Sequence, residues 1–162
     1  GTFISEDTAK EMVKRNTYLV ATQSAGTFIS HAPEQVRAML PPEAVQKWET
    51  VSSQMVESHR IAYEKGVVFA LGTDAPVAGE HCHTPRELQL LMNNLDISAA
   101  VALKIATINS AKAMRVEDQL GSIASGKKAD LVITGINPLE DISVFERPDE
   151  LKVMKGGRWV KT

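Results

Sequence analysis

Two short apolar runs, Tyr18-Leu19-Val20-Ala21 and Val67-Val68-Phe69-Ala70-Leu71, stand out from an otherwise mixed pattern. Both are bounded by turn-forming residues and read as strands. The second, uniformly apolar, has the character of a strand buried on both faces, as in parallel sheets. Ahead of them, Ser5 followed by Glu6 and Asp7 predicts a helix start with acids in the first turn, running to Arg15 and stopping at Asn16. Thr22 to Pro33 is polar and contains Gly26, so it predicts a loop at a strand's carboxyl end. A short helix is expected at Glu34–Leu40, and Pro41 and Pro42 break it and open another. From Glu43 to Lys65 the apolar positions Val45, Trp48, Val51, Met55, Val56, Ile61 and Ala62 recur largely at steps of three and four, with Gly66 as the cap. Strand, loop, helix and strand from Tyr18 to Leu71 make a βαβ unit, which implies a parallel sheet.

The second half changes character. Thr84-Pro85-Arg86-Glu87 predicts a capping box with Pro at the first helical position, after which Leu88, Leu91 and Met92 face inward. Ser98 starts a further helix ending at Ile105 or Ile108, and Ala111–Met114 extends it or forms a separate turn. Beyond Arg115 glycines become frequent, and short strands are expected at Leu131–Thr134, Leu151–Lys155 and Arg158–Lys161. Gly156-Gly157 signals a hairpin between the last two. The most suggestive chemical position is Asp74, a carboxylate just past the Val67–Leu71 strand, where ligands gather in α/β proteins. The competing reading makes Asp74 the cap of the following turn.

Composition narrows the classes. The 162 residues, 43% hydrophobic and 23% charged, suit a soluble globular protein with a real core. A net charge of -2 gives no footprint for nucleic acid or for an acidic membrane surface. No apolar run approaches the roughly 20 residues of a membrane span. The single Cys82 excludes an internal disulfide and fits a reducing, cytoplasmic setting. The chain opens on Gly1 rather than Met, so further residues are expected upstream.

A series of short words runs through the chain: Gly72-Thr73-Asp74-Ala75, Arg86-Glu87-Leu88 and Ala106-Thr107-Ile108-Asn109-Ser110-Ala111-Lys112-Ala113. These are followed by Leu120-Gly121-Ser122-Ile123, Gly126-Lys127-Lys128-Ala129-Asp130-Leu131-Val132 and Asn137-Pro138-Leu139. In this order they resemble the amidohydrolase superfamily, in its imidazolonepropionase-like and Xaa-Pro dipeptidase-like branch. The resemblance implies an α/β fold: the last βα units of a (β/α)8 barrel over residues 1–114, and the C-terminal strands of a small β-sandwich over residues 115–162. It also implies one or two divalent metal ions, usually zinc, held by a His-x-His pair, often a carboxylated Lys, two further His and an Asp after the eighth strand. Asp74 matches that Asp. Its implied role is to bind the metal, take the proton of the attacking water and pass it to the leaving amine. Two strands cannot close a barrel of eight, and the other family ligands have no counterpart here. Gly1-Thr2-Phe3 resembles the continuation of a strand-end His-Gly.

Hydrolysis of C–N bonds in dipeptides or N-acyl amino acids is the implied activity, by a larger or complemented enzyme. A catalytically incomplete structural or oligomerising module, and a deaminase, are the alternatives. Strand edges left open in such a piece predict a homo-oligomer or a complementing chain. Other candidates are local. His81-Cys82-His83 could join Asp74 in a small metal site, and His81 and His83 could contact substrate or be ordinary loop residues. Gln23 and Ser24 could line the pocket or be loop polarity, and the same holds for His31. Nothing specific makes Cys82 a nucleophile. His59, beside an apolar helix face, reads as a buried structural residue. Gly126-Lys127-Lys128 reads as a turn rather than a phosphate loop.

Overall fold

The computed structural model describes residues 1–31, 34–74 and 84–162, the side chains of residues 28–31 and 36 excepted. Helix α1 (Glu6–Lys14) begins where the sequence places it, with the Ser5 hydroxyl accepting the Thr8 N–H at 3.2 Å. It ends at Asn16, which takes a left-handed turn (φ 53°). Strand β1 (Tyr18–Ala21) pairs in parallel with β2 (Val68–Leu71), in a register that sets Ala21 beside Leu71. Between the strands lie α2 (Gln23–His31), α3 (Glu34–Ala38) and the long α4 (Pro42–Glu64). This is the expected βαβ unit.

Three local expectations need correction. The polar stretch after β1 is a helix, not a loop, from its first residue Gln23 to His31. Its Gly26, which reads as a loop signal, serves close packing: a Cβ there would lie 2.3 Å from the Met55 sulfur on α4. Its carbonyl is tied to α4 as well, by the Trp48 Nε1–H at 2.9 Å and by the Ser52 hydroxyl. The predicted capping box does not form either. Helix α5 (Arg86–Leu95) follows Pro85 with no side-chain cap, because the Glu87 carboxylate is engaged elsewhere. Finally, the Val67–Leu71 run is buried only in part on its second face. Val67, Phe69 and Ala70 are 3%, 1% and 2% exposed, but Val68 is 43% exposed, and Val20, opposite Ala70, is 50% exposed.

The face bearing Phe69 holds the core. Leu19, Ala21 and Phe69 pack with Ile4, Ala62, Leu91, Leu95 and Ile105, drawing on α1, α4, α5 and the turns beside them. The rings of His59 and Tyr63 on α4 both meet Phe69 edge-on, with centroids 5.9 Å apart. A second cluster joins Leu88, Ala99, Ala102 and Ile142, which brings the C-terminal part against α5 and α6 (Ala99–Lys104).

After α6 the helix widens into a π-helical turn, Ile105–Asn109, before α7 (Ser110–Ala113). The wider turn presents Asn109 and Ser110 to β2. Asn109 Nδ2 donates to the Phe69 carbonyl at 3.1 Å, and the Leu71 N–H donates to Ser110 Oγ at 3.0 Å. Gly121 closes on this helix with φ +84°. A side chain there would crowd Ala111 Cβ at 2.6 Å, so the Leu-Gly-Ser word has a steric cause. The tail forms an antiparallel sheet in the order β3 (Leu131–Thr134), β4 (Leu151–Lys155), β5 (Arg158–Lys161), at the positions expected. Gly156 and Gly157, both at positive φ, make the two-residue hairpin turn. Among the described residues no helix is long and apolar enough to cross a membrane.

Phe69 is the side chain on which α4 and the strands converge. Phe69→Ala is expected to lower the unfolding free energy by about 3–5 kcal/mol. Chemical denaturation checks this, and a loss below about 1 kcal/mol would contradict the central place given to this ring.

Candidate active site

Parallel pairing makes both strands give out at one edge. Thr22-Gln23-Ser24 leaves β1 there, and Gly72-Thr73-Asp74 leaves β2 beside it. The Val20 side chain fills the space beside Gly72: a Cβ there would lie 2.5 Å from Val20 Cγ1. The Ser24 hydroxyl reaches the Thr73 carbonyl at 3.5 Å. Asp74 follows in the left-handed region at φ 55°, a conformation Asp tolerates better than most residues. Its side chain is exposed and takes no hydrogen bond or ion pair among the described residues. It is an accessible, uncommitted carboxylate at the carboxyl end of a parallel strand.

Gln23 and Ser24 are not turned to solvent. Gln23 is fully buried, its Oε1 accepting from Asn94 Nδ2 at 2.9 Å and its Nε2 lying 3.3 Å from His59 Nδ1. That pattern is satisfied when Nε2 of Gln23 donates and the His59 proton sits on its own Nε2. His59 is 2% exposed, as its place on α4 suggests. Burial pushes its pKa down from 6.5 to about 4, so the ring is neutral.

The residue the sequence did not single out for chemistry is Glu87. It is fully buried on α5, and its carboxylate sits on the N-terminus of α2. Oε2 accepts the Gln23 N–H at 3.1 Å; Oε1 accepts the Ser24 N–H at 2.6 Å and the Ser24 hydroxyl. Burial raises its pKa, and the three donors from Ser24 and Gln23 oppose that shift without cancelling it. The Thr-Pro-Arg-Glu word carried no hint of this, because it matches a local cap equally well.

His81, Cys82 and His83 lie outside the described residues, as does the side chain of His31. Among the described residues no three His, Cys, Asp or Glu side chains converge in a way that could hold a metal ion. Asp74 fits a divalent cation as one oxygen ligand, because its carboxylate is exposed and has no other partner there.

Comparison with known proteins bears on this edge. The sequence pattern of the Amidohydrolase family matches residues 2–160. The chain belongs to the amidohydrolase family. Over 100% of its length it superposes on 39% of a Xaa-Pro dipeptidase crystallised with methionine bound in the active site, with a TM-score of 0.87 and 37% identity. It is 30% identical over 162 residues to an ochratoxinase of Aspergillus niger, a match covering 98% of this chain and 32% of that protein. A 5-methylthioadenosine/S-adenosylhomocysteine deaminase of Thermoanaerobacter pseudethanolicus is 40% identical over 82 residues, 46% of this chain and 19% of its own. This amidohydrolase chain therefore spans well under half the length of these relatives.

The two buried ionisable groups give the amidohydrolase chain a pH signature. The lowered His59 means that below about pH 6.5 the unfolded chain binds a proton the folded one refuses until about pH 4. Stability is therefore lost across that window as pH falls, by an amount on the order of 3 kcal/mol. Glu87, raised from 4.5, works the other way: its contribution is present below pH 4.5 and is lost as pH rises through its folded pKa. Urea unfolding of the parent and His59→Gln between pH 7 and 4 is expected to show a clearly smaller acid loss in the variant. Equal slopes would contradict a buried neutral His59.

Proposed function

We propose that residues 1–162 form the C-terminal part of a metal-dependent hydrolase that cleaves C–N bonds in small amides, with dipeptides or N-acyl amino acids as substrates. In this reading β1, β2 and their helices are the last βα units of a (β/α)8 barrel, over residues 1–114. Residues 115–162 are the end of a small β-sandwich. The observation that carries the reading is Asp74: an exposed carboxylate at the carboxyl end of β2, without a partner among the described residues, in a chain of this family.

Asp74 contributes one oxygen ligand to a divalent cation, zinc in the first instance, whose remaining ligands come from residues beyond this segment. When bound, the metal supplies Lewis acidity and lowers the pKa of a water. The chain's own contribution is proton handling: an Asp74 Oδ accepts the proton of the attacking water and delivers it to the departing amine nitrogen. His81 and His83, on the segment between β2 and α5, are assigned to the substrate side. Gln23 and Ser24 build the floor beneath Asp74.

Amide cleavage is preferred over deamination because of coverage. Similarity to the Xaa-Pro dipeptidase and the ochratoxinase runs through nearly the whole chain, whereas similarity to the deaminase takes in 46% of it. In the full-length polypeptide, Asp74→Asn is expected to lower turnover of Xaa-Pro dipeptides or N-acyl amino acids roughly 10²–10⁴-fold and to reduce bound metal on elemental analysis. Parent-level activity and metal in that variant would overturn the reading. Ammonia release from adenosine-type substrates with no amide turnover would favour the deaminase.

The exposed Val20 and Val68 bear on how the fold is completed. A sheet of two strands with an open apolar face calls for more strands, from the rest of the polypeptide or from a partner chain. Residues 1–162 alone are expected to self-associate in sedimentation equilibrium. A stable, monodisperse monomer would count against completion by other strands.

A further inference from the structure

The direction in which Asp74 presents its carboxylate is set by the backbone of Gly72, Thr73 and Asp74, since a left-handed residue aims its Cβ differently from an extended one. Among the described residues, the Ser24 hydroxyl reaches this segment from α2, lying 3.5 Å from the Thr73 carbonyl. Asp74 holds φ 55°, a backbone state that persists where the surroundings impose it. The question is what makes Ser24 stiff enough to act as that surrounding.

Glu87 answers it. Ser24 is 8% exposed; Glu87 Oε1 accepts its backbone N–H at 2.6 Å and also meets its hydroxyl, whose single proton is shared between that oxygen and the Thr73 carbonyl. The other oxygen takes the Gln23 N–H at 3.1 Å, so the carboxylate cannot swing without releasing both residues. Gln23 is pinned in turn by Asn94 and His59, from α5 and α4. Glu87 comes thirteen residues after Asp74, on the helix reached by the segment that leaves the β2 edge. The contacts thus run from Glu87 to Ser24 and from Ser24 to the Thr73 carbonyl, one residue before Asp74. A buried carboxylate with a raised pKa is an expensive way to cap a helix that an Asn or Ser could cap locally. Its reach to the neighbouring strand end is what a local cap could not supply.

We propose that Ser24 and Glu87 are positioning residues for Asp74: the Glu87 carboxylate anchors Ser24 under the Thr73 carbonyl and so holds the left-handed backbone from which the Asp74 carboxylate is presented. This rests on the role assigned to Asp74 above. Neither residue touches substrate; both act through the β2 strand end.

The test uses the full-length polypeptide and Ser24→Ala, which keeps the backbone N–H on Glu87 and removes only the hydroxyl. Three readouts are taken beside the melting temperature: hydrogen exchange of the peptide containing Gly72–Asp74, zinc affinity by competition with a chelator, and kcat separately from KM. The expected result is faster exchange in that peptide, zinc binding about tenfold weaker and kcat about tenfold lower, with KM and the melting temperature near the parent. Glu87→Gln, which retains one acceptor but sets an NH2 group against backbone N–H donors, is expected to reproduce these changes and to melt earlier as well. Unchanged exchange, zinc affinity and kcat in Ser24→Ala overturn the inference, as does a fall in kcat that only tracks a lowered melting temperature. Asp74→Asn is measured alongside. If it abolishes turnover while Ser24→Ala is silent, the positioning role fails and the hydrolase reading stands. If Asp74→Asn is itself silent, the hydrolase reading fails, and faster Gly72–Asp74 exchange in Ser24→Ala shows that the clamp exists without that chemistry.

Discussion

Side-by-side pairing of two parallel strands is the constraint on which the candidate site depends. With Ala21 beside Leu71, the chain leaves both strands at one edge, and residues more than forty positions apart in sequence become neighbours. An antiparallel pair would send the two exits to opposite ends, and Ser24 could not reach the strand end that carries Asp74. Parallel pairing needs a long crossover; α2, α3 and α4 supply it, and α4 packs Ala62, His59 and Tyr63 against the strands.

The polar groups at this edge raise a second physical question, because Gln23, Ser24, His59 and Glu87 are all buried. Gln23, His59 and Glu87 are each no more than 2% exposed, and burying such groups unpaired costs several kcal/mol. The structure answers by making them partners of one another and of helix ends. Glu87 lies on the amides of α2, where a helix N-terminus favours negative charge, and His59 stays neutral and accepts from Gln23. The remaining carboxylate, Asp74, is left exposed.

How much of this is legible in the sequence depends on the range of the interactions involved. Ser5 caps α1 and Gly156-Gly157 turns the hairpin because these are interactions among residues a few positions apart. The β-strands fall where their apolar runs lie. The stretch from Gln23 to His31 misleads for a definite reason: its helix is capped by a carboxylate from α5, and its Gly26 accommodates Met55 of α4. Neither partner is visible in the local pattern. Thr84 to Glu87 misleads in the opposite sense, since a good local cap is available and the distant use of Glu87 wins. Asn109, Ser110 and Gly121 form an intermediate case. Their words point to a family, but their work, tying a π-helical turn to β2 and letting the next turn close on it, is steric and long-range.

By itself, then, the chain's pattern determined the kind of each strand and most helices, the parallel βαβ unit and the hairpin, and it put Asp74 forward as a candidate. Those follow from short-range propensity and from periodicity, which are properties of neighbouring residues. Tertiary structure alone decided that Gln23 and Ser24 are buried, that Glu87 caps a helix other than its own, and that Ser24 lies against the strand end bearing Asp74. These are contacts between segments brought together by packing, and the free energy that selects them is shared over α2, α4 and α5 rather than encoded at any one position.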